Sequence, residues 1–270
     1  MTLRLFLVLA TLEARKRMSY RTDFWVTVLV AFLVEIGTAY FLWSAVFRES
    51  GQASIGGLTH QGMVVYYVLA ILLGKLIRGE DRESTLAQDI YSGSLTRYLV
   101  FPASYFGSKY AERLGSALPA LLQLVLFGSA AAVWLDLSAA GAITPATVLR
   151  TVGAVAVGNV LAFLMSCLLE SVAFWADNVW SLEVLMRFLG FLLGGQMLPL
   201  HLFPTWMQPL LDWLPFRFLY YFPVMTLTGN LTPAAWLTGL ATALAWCGLL
   251  ALATRATWRR GSLVYTGVGI

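Results

Sequence analysis

The sequence predicts an all-α integral membrane protein: six transmembrane helices, an N-terminal interfacial helix, and short broken outer helices before the last span. Three observations predict it. Of 270 residues, 59% are hydrophobic and 12% charged, with mean hydropathy +0.74, where soluble domains carry roughly 25% charged residues. Six apolar runs, at about 24–47, 60–78, 112–135, 147–172, 184–200 and 233–254, are long enough to be read as spans. All are expected to be helices, because inside lipid a helix satisfies its own backbone. With the N-terminus inside, cytoplasmic segments collect 15 of the 18 Lys and Arg, leaving only Arg48, Arg150 and Arg217 outside. That bias predicts a multi-pass protein with both termini in the cytoplasm.

The net charge of +4 is thereby a topology signal and implies no nucleic-acid partner; membrane lipid is the surrounding medium. No polar stretch reaches the roughly 50 residues of a small soluble domain, so residues 1–270 read as one transmembrane domain.

Residues 1–22 place Leu5, Leu9 and Leu12 ahead of Arg15, Lys16 and Arg17. The segment is too short to span and is expected to lie along the inner interface as an amphipathic helix, with a helix packed on the bundle as the alternative. Its apolar-then-basic order is the reverse of a secretory leader.

The first run, Phe24 to Phe47, holds one charge, Glu35. Its 24 residues make a helix of roughly 36 Å, which puts the carboxylate near mid-membrane. An ionisable group at that depth reads as functional by default, the alternative being a structural polar contact. The second run ends at Lys75 and Arg78, whose charged heads are expected to reach the interface.

The loop 79–111 opens on Glu80, Asp81, Arg82 and Glu83, and Ser84 is a candidate N-cap. Leu86, Ile90 and Tyr91 share one helical face before a Gly93 stop. This describes a short amphipathic helix offered to a cytoplasmic partner, the contact running through residues about 80–98 with Asp89 and Arg97 as its charges.

Among the later spans, Cys167 and Cys247 lie in apolar runs and read as small core residues. Gln123, Asn159 and Gln196 fall near mid-membrane, where helix-to-helix hydrogen bonds account for amides; with Glu35 they are also the candidate pathway residues. Glu170 and Arg187 are candidates to pair across adjacent spans. Gly190 and Gly194, at i and i+4, form a small-residue face that permits close helix approach, to a second subunit or within the chain.

Residues 199–223 hold five prolines and eight aromatics. Proline breaks helices while the aromatics favour the membrane interface, so outer re-entrant or interfacial helices are expected.

Catalytic and metal patterns are absent. His60 and His201 both fall at outer span ends, a placement that leaves a heme or metal site conceivable but is common for interfacial histidines. Nothing resembles HExxH or GxSxG. Gly74-Lys75 lacks the earlier glycine of a Walker A loop and is followed by Leu76. Leu192-Leu-Gly-Gly-Gln196 mimics an ATPase signature, but lies in an apolar span where it cannot present amides to phosphate.

Asp89-Ile-Tyr-Ser-Gly-Ser-Leu95 followed by Leu99-Val-Phe-Pro102 resembles the cytoplasmic loop "I-x-S-G-x-L … L-x-x-P" of ABC-2-type transporter permeases. More narrowly, it resembles a bacterial branch that includes drug and viologen exporter permeases. Arg259-Arg-Gly-Ser-Leu-Val-Tyr265-Thr-Gly267 is similar to the family tail, and the order of elements matches over most of the chain. Phe101 departs from the pattern, where a basic residue is expected before the proline.

The resemblance implies a non-catalytic permease subunit of an exporter in the bacterial inner membrane, moving an amphiphilic or cationic substrate. It implies cytoplasmic ABC ATPase subunits carrying ATP and Mg, coupled through Leu86, Asp89, Ile90, Tyr91 and Arg97, and no cofactor or metal on this chain. It also implies a second permease subunit, same or related, with the first span and Gly190 and Gly194 at the interface. A proton-coupled secondary transporter using Glu35 is the main alternative; an intramembrane enzyme or heme-binding subunit is a weaker one.

Overall fold

The computed structural model describes residues 2–19, 21–79, 85–100, 104–134 and 143–267. These form eleven helices: α1 (Leu3–Ser19), α2 (Arg21–Ser50), α3 (His60–Arg78), α4 (Thr85–Tyr91), α5 (Leu95–Val100), α6 (Tyr105–Trp134), α7 (Pro145–Glu170), α8 (Trp180–Leu193), α9 (Gln208–Trp213), α10 (Tyr221–Leu227) and α11 (Pro233–Val264). Among the described residues five helices are long and apolar enough to cross a membrane, in α2, α3, α6, α7 and α11.

The run 184–200, expected as one span, is not one helix. Its helical part, α8, is 14 residues, only about 21 Å at 1.5 Å per residue. Gly195 then turns to φ +89°, a left-handed conformation that only glycine adopts at little cost. The amides of Gln196 and Met197 fold back on the Phe191 carbonyl, at 3.2 and 3.0 Å. Beyond the break come short turns and helices: a 3-10 turn at Leu200–Leu202, α9, a 3-10 turn at Pro215–Leu219, and α10. Phe218 and Phe222 of this stretch are fully buried.

Helix α3 is the hub. Fourteen of its residues are buried, and it packs against α2, α6, α7 and α10. Thr59 caps its N-terminus by accepting from the Gly62 amide at 3.1 Å. Its C-terminus is closed from neighbouring helices: Asn159 Nδ2 donates to the Leu76 and Ile77 carbonyls at 2.9 and 3.1 Å, and Arg113 Nη2 donates to Ile77 at 3.0 Å. Asn159 lies eleven residues before the last residue of α7, so α3 stops about 16 Å short of that end.

Helices α2 and α11 are mostly uncovered, with 17% and 11% of their apolar windows buried against 78% for α3. Their outward rows of Leu, Val and Phe are what lipid or another apolar surface covers.

Helix α1 packs along α6. Gly115 sits directly under the Ala10 backbone, where an added Cβ would collide with the Ala10 carbonyl. We predict that Gly115→Leu destabilises the detergent-solubilised protein by about 1–3 kcal/mol, the range typical of overpacking, read as a lower melting temperature. Gly128→Ala, whose Cβ would meet only side chains at 3.6 Å or more, should melt near the wild type.

Candidate functional site

Four helices each turn one face toward a common cavity of about 550 Å³, within the range of ligand pockets. Helix α8 gives Val184, Arg187, Phe188 and Phe191; α6 gives Ser116, Ala120 and Gln123; α3 gives Ile71, Lys75 and Arg78; α2 gives Ala31 and Glu35. The spacings of three, four and seven are those of a single helical face.

Three of the four candidate pathway residues meet here. Glu35 is exposed on α2, and the ring contacts Phe47–His60 and Trp43–Tyr67 fix a register that brings it level with the Ile71–Lys75 turn. Gln123 is 4% exposed and its Oε1 has no partner among the described residues. Gln196 enters from the break after α8. Asn159 does not join them. It is spent on the α3 carbonyls, a buried backbone requirement that leaves no trace in a residue pattern.

The break is held by two tyrosines on α3. Tyr66 donates to the Gly195 carbonyl at 2.5 Å and Tyr67 to the Met197 carbonyl at 2.6 Å, while the Tyr221 amide donates to Gly194 at 3.0 Å. Two phenols in an otherwise apolar buried run are the signal that could have found this contact, since buried hydroxyls need partners.

A second, smaller cavity of about 150 Å³ shares Arg78, Ser116 and Arg187 with the first. Lys109, Glu112, Arg113, Glu170 and Glu183 complete its charged lining. Glu170 and Arg187 both face it, and Glu170 also accepts from the Leu86 amide at 2.6 Å, capping the first turn of α4 from another helix. Ser84, the expected N-cap, and the charged cluster 80–83 lie outside the described residues, as do Phe101 and Pro102.

The expected coupling residues divide into two sets. Leu86 and Ile90 are buried, in a cluster with Tyr105, Phe174 and Val179, so the apolar face of α4 turns inward. Tyr91 donates to the Ala176 carbonyl at 2.9 Å. Asp89 accepts from Ser94 at 2.8 Å and Tyr105 at 2.9 Å, and pairs with Lys109 at 2.8 Å. Arg97 is exposed, as are Gln88, Ser92, Leu99 and Val100. Burial would push the Asp89 carboxyl up, but hydrogen bonds from Lys109 and Ser94, the Lys109 charge and the Tyr105 hydroxyl outweigh it and hold the carboxyl below its ordinary value.

Gly190 and Gly194 pack against residues of the same chain. A Cβ on Gly190 would touch Leu219, and one on Gly194 would collide with Tyr220 and the Phe216 carbonyl. His60 is bonded to Ser44 at 2.9 Å, and among the described residues no group of three or more His, Cys, Asp or Glu could hold a metal.

A family model described as ABC-2 family transporter protein matches residues 33–269. No curated protein and no solved structure matches the chain.

Asp89 should therefore act as an internal tie. Asp89→Asn is expected to destabilise the protein by about 3 kcal/mol, the order for breaking a largely buried pair, read as a lower melting temperature at pH 7. Because the folded carboxyl lies below its ordinary value, its contribution is fully present above that ordinary value and lost as pH falls through the lower, folded one. Melting of the wild type between pH 5 and 8 should show no slope from this group, so a gap between wild type and Asp89→Asn that closes by pH 5 would refute the assignment.

Proposed function

The chain belongs to the ABC-2 family of transporter proteins, and we propose that it is an exporter permease subunit that moves an amphiphilic substrate through the α2–α3–α6–α8 cavity. The observation that carries this reading is the convergence of Glu35, Gln123 and Gln196, from three separate segments, on one cavity with apolar walls. A polar site of this kind inside an apolar bundle is costly to maintain and is the default location of a pathway.

Transport is driven by a separate cytoplasmic ABC ATPase that binds ATP and Mg and docks on the α4–α5 hairpin. In support, α4 is anchored on its inner side and shows Gln88 outward, and Ser92, Arg97, Leu99 and Val100 after it are also exposed. The permease works as a dimer with a same or related subunit, which covers part of the uncovered α2 face. The protein resides in a bacterial inner membrane with both termini cytoplasmic.

Two outcomes follow. Arg97→Glu should reduce ATPase association and ATP-driven transport at least about tenfold, roughly 1.4 kcal/mol, with an unchanged melting temperature. Transport by the reconstituted permease under a proton gradient, without any ATPase, would instead establish the secondary-transporter reading. For topology, a cysteine at Gln52 should react with an impermeant maleimide added to intact cells and one at Ser92 should not; the reverse pattern would invert the assigned orientation.

A further inference from the structure

We propose that Gln123 selects the substrate by hydrogen bonding: the α2–α3–α6–α8 cavity takes an amphiphile whose head carries a hydroxyl, and the Gln123 carboxamide binds that hydroxyl. This rests on the permease reading above and adds the chemistry of the head group, whatever the charge of the lining. Gln123 lines the cavity, is 4% exposed, and its Oε1 has no hydrogen-bond partner. Buried polar atoms are otherwise paired, so an acceptor left open on a cavity wall marks the place of a ligand's donor.

The ordinary duty of an amide at this depth is a bond to another helix. Asn159 performs it, through Nδ2 and two α3 carbonyls. Asn159 Oδ1 is also unpaired, but Asn159 lines neither cavity, whereas Gln123 has an open side that a partner can enter. One turn further along α6, Phe127 stacks on Phe32 of α2 with ring centroids 4.5 Å apart, which holds the Gln123 turn level with the α2 turn that bears Ala31 and Glu35. Ser116, the other polar residue that α6 gives to the cavity, donates its hydroxyl to its own helix, at the Arg113 carbonyl 2.7 Å away. Among the donors of the lining, none bonds Gln123 Oε1. Phe188 and Phe191 of α8 supply an apolar wall for the tail. A hydroxyl fits because it both donates and accepts, and so pairs with the carboxamide turned either way.

The test uses the purified full-length permease in phosphatidylcholine nanodiscs, whose head groups have no hydrogen-bond donor, with no ATPase present. Binding of radiolabelled dodecanol is measured in excess of that to empty nanodiscs, with unlabelled dodecanol, dodecyl methyl ether and dioleoylglycerol as competitors. All four molecules are uncharged. Dodecanol should compete at least about tenfold better than the ether, which keeps the acceptor and lacks the donor. Gln123→Met, close in shape but without hydrogen bonds, should weaken dodecanol binding about tenfold and abolish the preference over the ether. Because this variant removes an unpaired buried group, its melting temperature without ligand should equal or exceed that of the wild type.

Binding no greater than to empty nanodiscs, equal competition by the ether, or a preference that survives in Gln123→Met would overturn the proposal. So would a melting temperature of Gln123→Met below the wild type, which would mark a structural contact. Displacement by dioleoylglycerol as effective as by dodecanol would assign the hydroxyl site to a bilayer lipid and likewise overturn it. The ATPase plays no part in these measurements, so failure of ATPase-driven transport and failure of hydroxyl recognition are told apart.

Discussion

The arrangement depends on where helix α3 ends. A helix C-terminus leaves four carbonyls without intrahelical partners, and inside an apolar bundle each must be satisfied or carry a penalty of several kcal/mol. The fold meets this with the Asn159 amide and the Arg113 guanidinium, reaching from α7 and α6 to Leu76 and Ile77. Because the closure is made by side chains, α3 can stop inside the bundle while α6 and α7 run on. The space beyond its end becomes the smaller cavity, and the last turn of α3 brings Lys75 and Arg78 to the wall of the larger one.

The same overhang explains the anchoring of α4. Its first turn is capped by Glu170 at the end of α7, and Asp89 is tied to Lys109 and Tyr105 at the start of α6. The end of α11 closes the group through Trp258, whose ring stacks on Tyr105 at 5.2 Å, and through Tyr265, whose hydroxyl is 3.1 Å from Thr96. A seven-residue helix has too few internal hydrogen bonds to be stable alone. Its position is thus set by α6 and α7, and any displacement of α4 must strain its bonds to both.

Much of the architecture was legible because apolar runs state their own length. The run 60–78 corresponds to α3 residue for residue, and Glu35, the lone charge of the first run, lies on the wall of the cavity. What was not legible depends on partners distant in sequence. Asp89 meets Lys109 twenty positions away, with no periodicity linking them, and Asn159 meets backbone carbonyls that have no residue identity. The α4 periodicity located its apolar face correctly, but an apolar stripe reads alike whether it turns to a partner or to the protein's own core. Gly190 and Gly194 posed the same ambiguity, and close approach came from the chain's own segment Pro215–Tyr220.

The break after α8 shows how the chain places polar backbone at depth. Irregular backbone inside a bundle is tolerated only where its groups find partners, and here the partners are side chains of the most buried helix. Tyr66 and Tyr67 sit on adjacent positions of α3, their rings 5.7 Å apart, and bond carbonyls two residues apart in the break. With Gly195 and Met197 both fixed, Gln196 between them has little freedom of backbone direction. A continuous helix through this segment would need no such tyrosines. The phenols on α3 and the glycine at 195 are therefore one device, and the position of Gln196 at the cavity is its consequence.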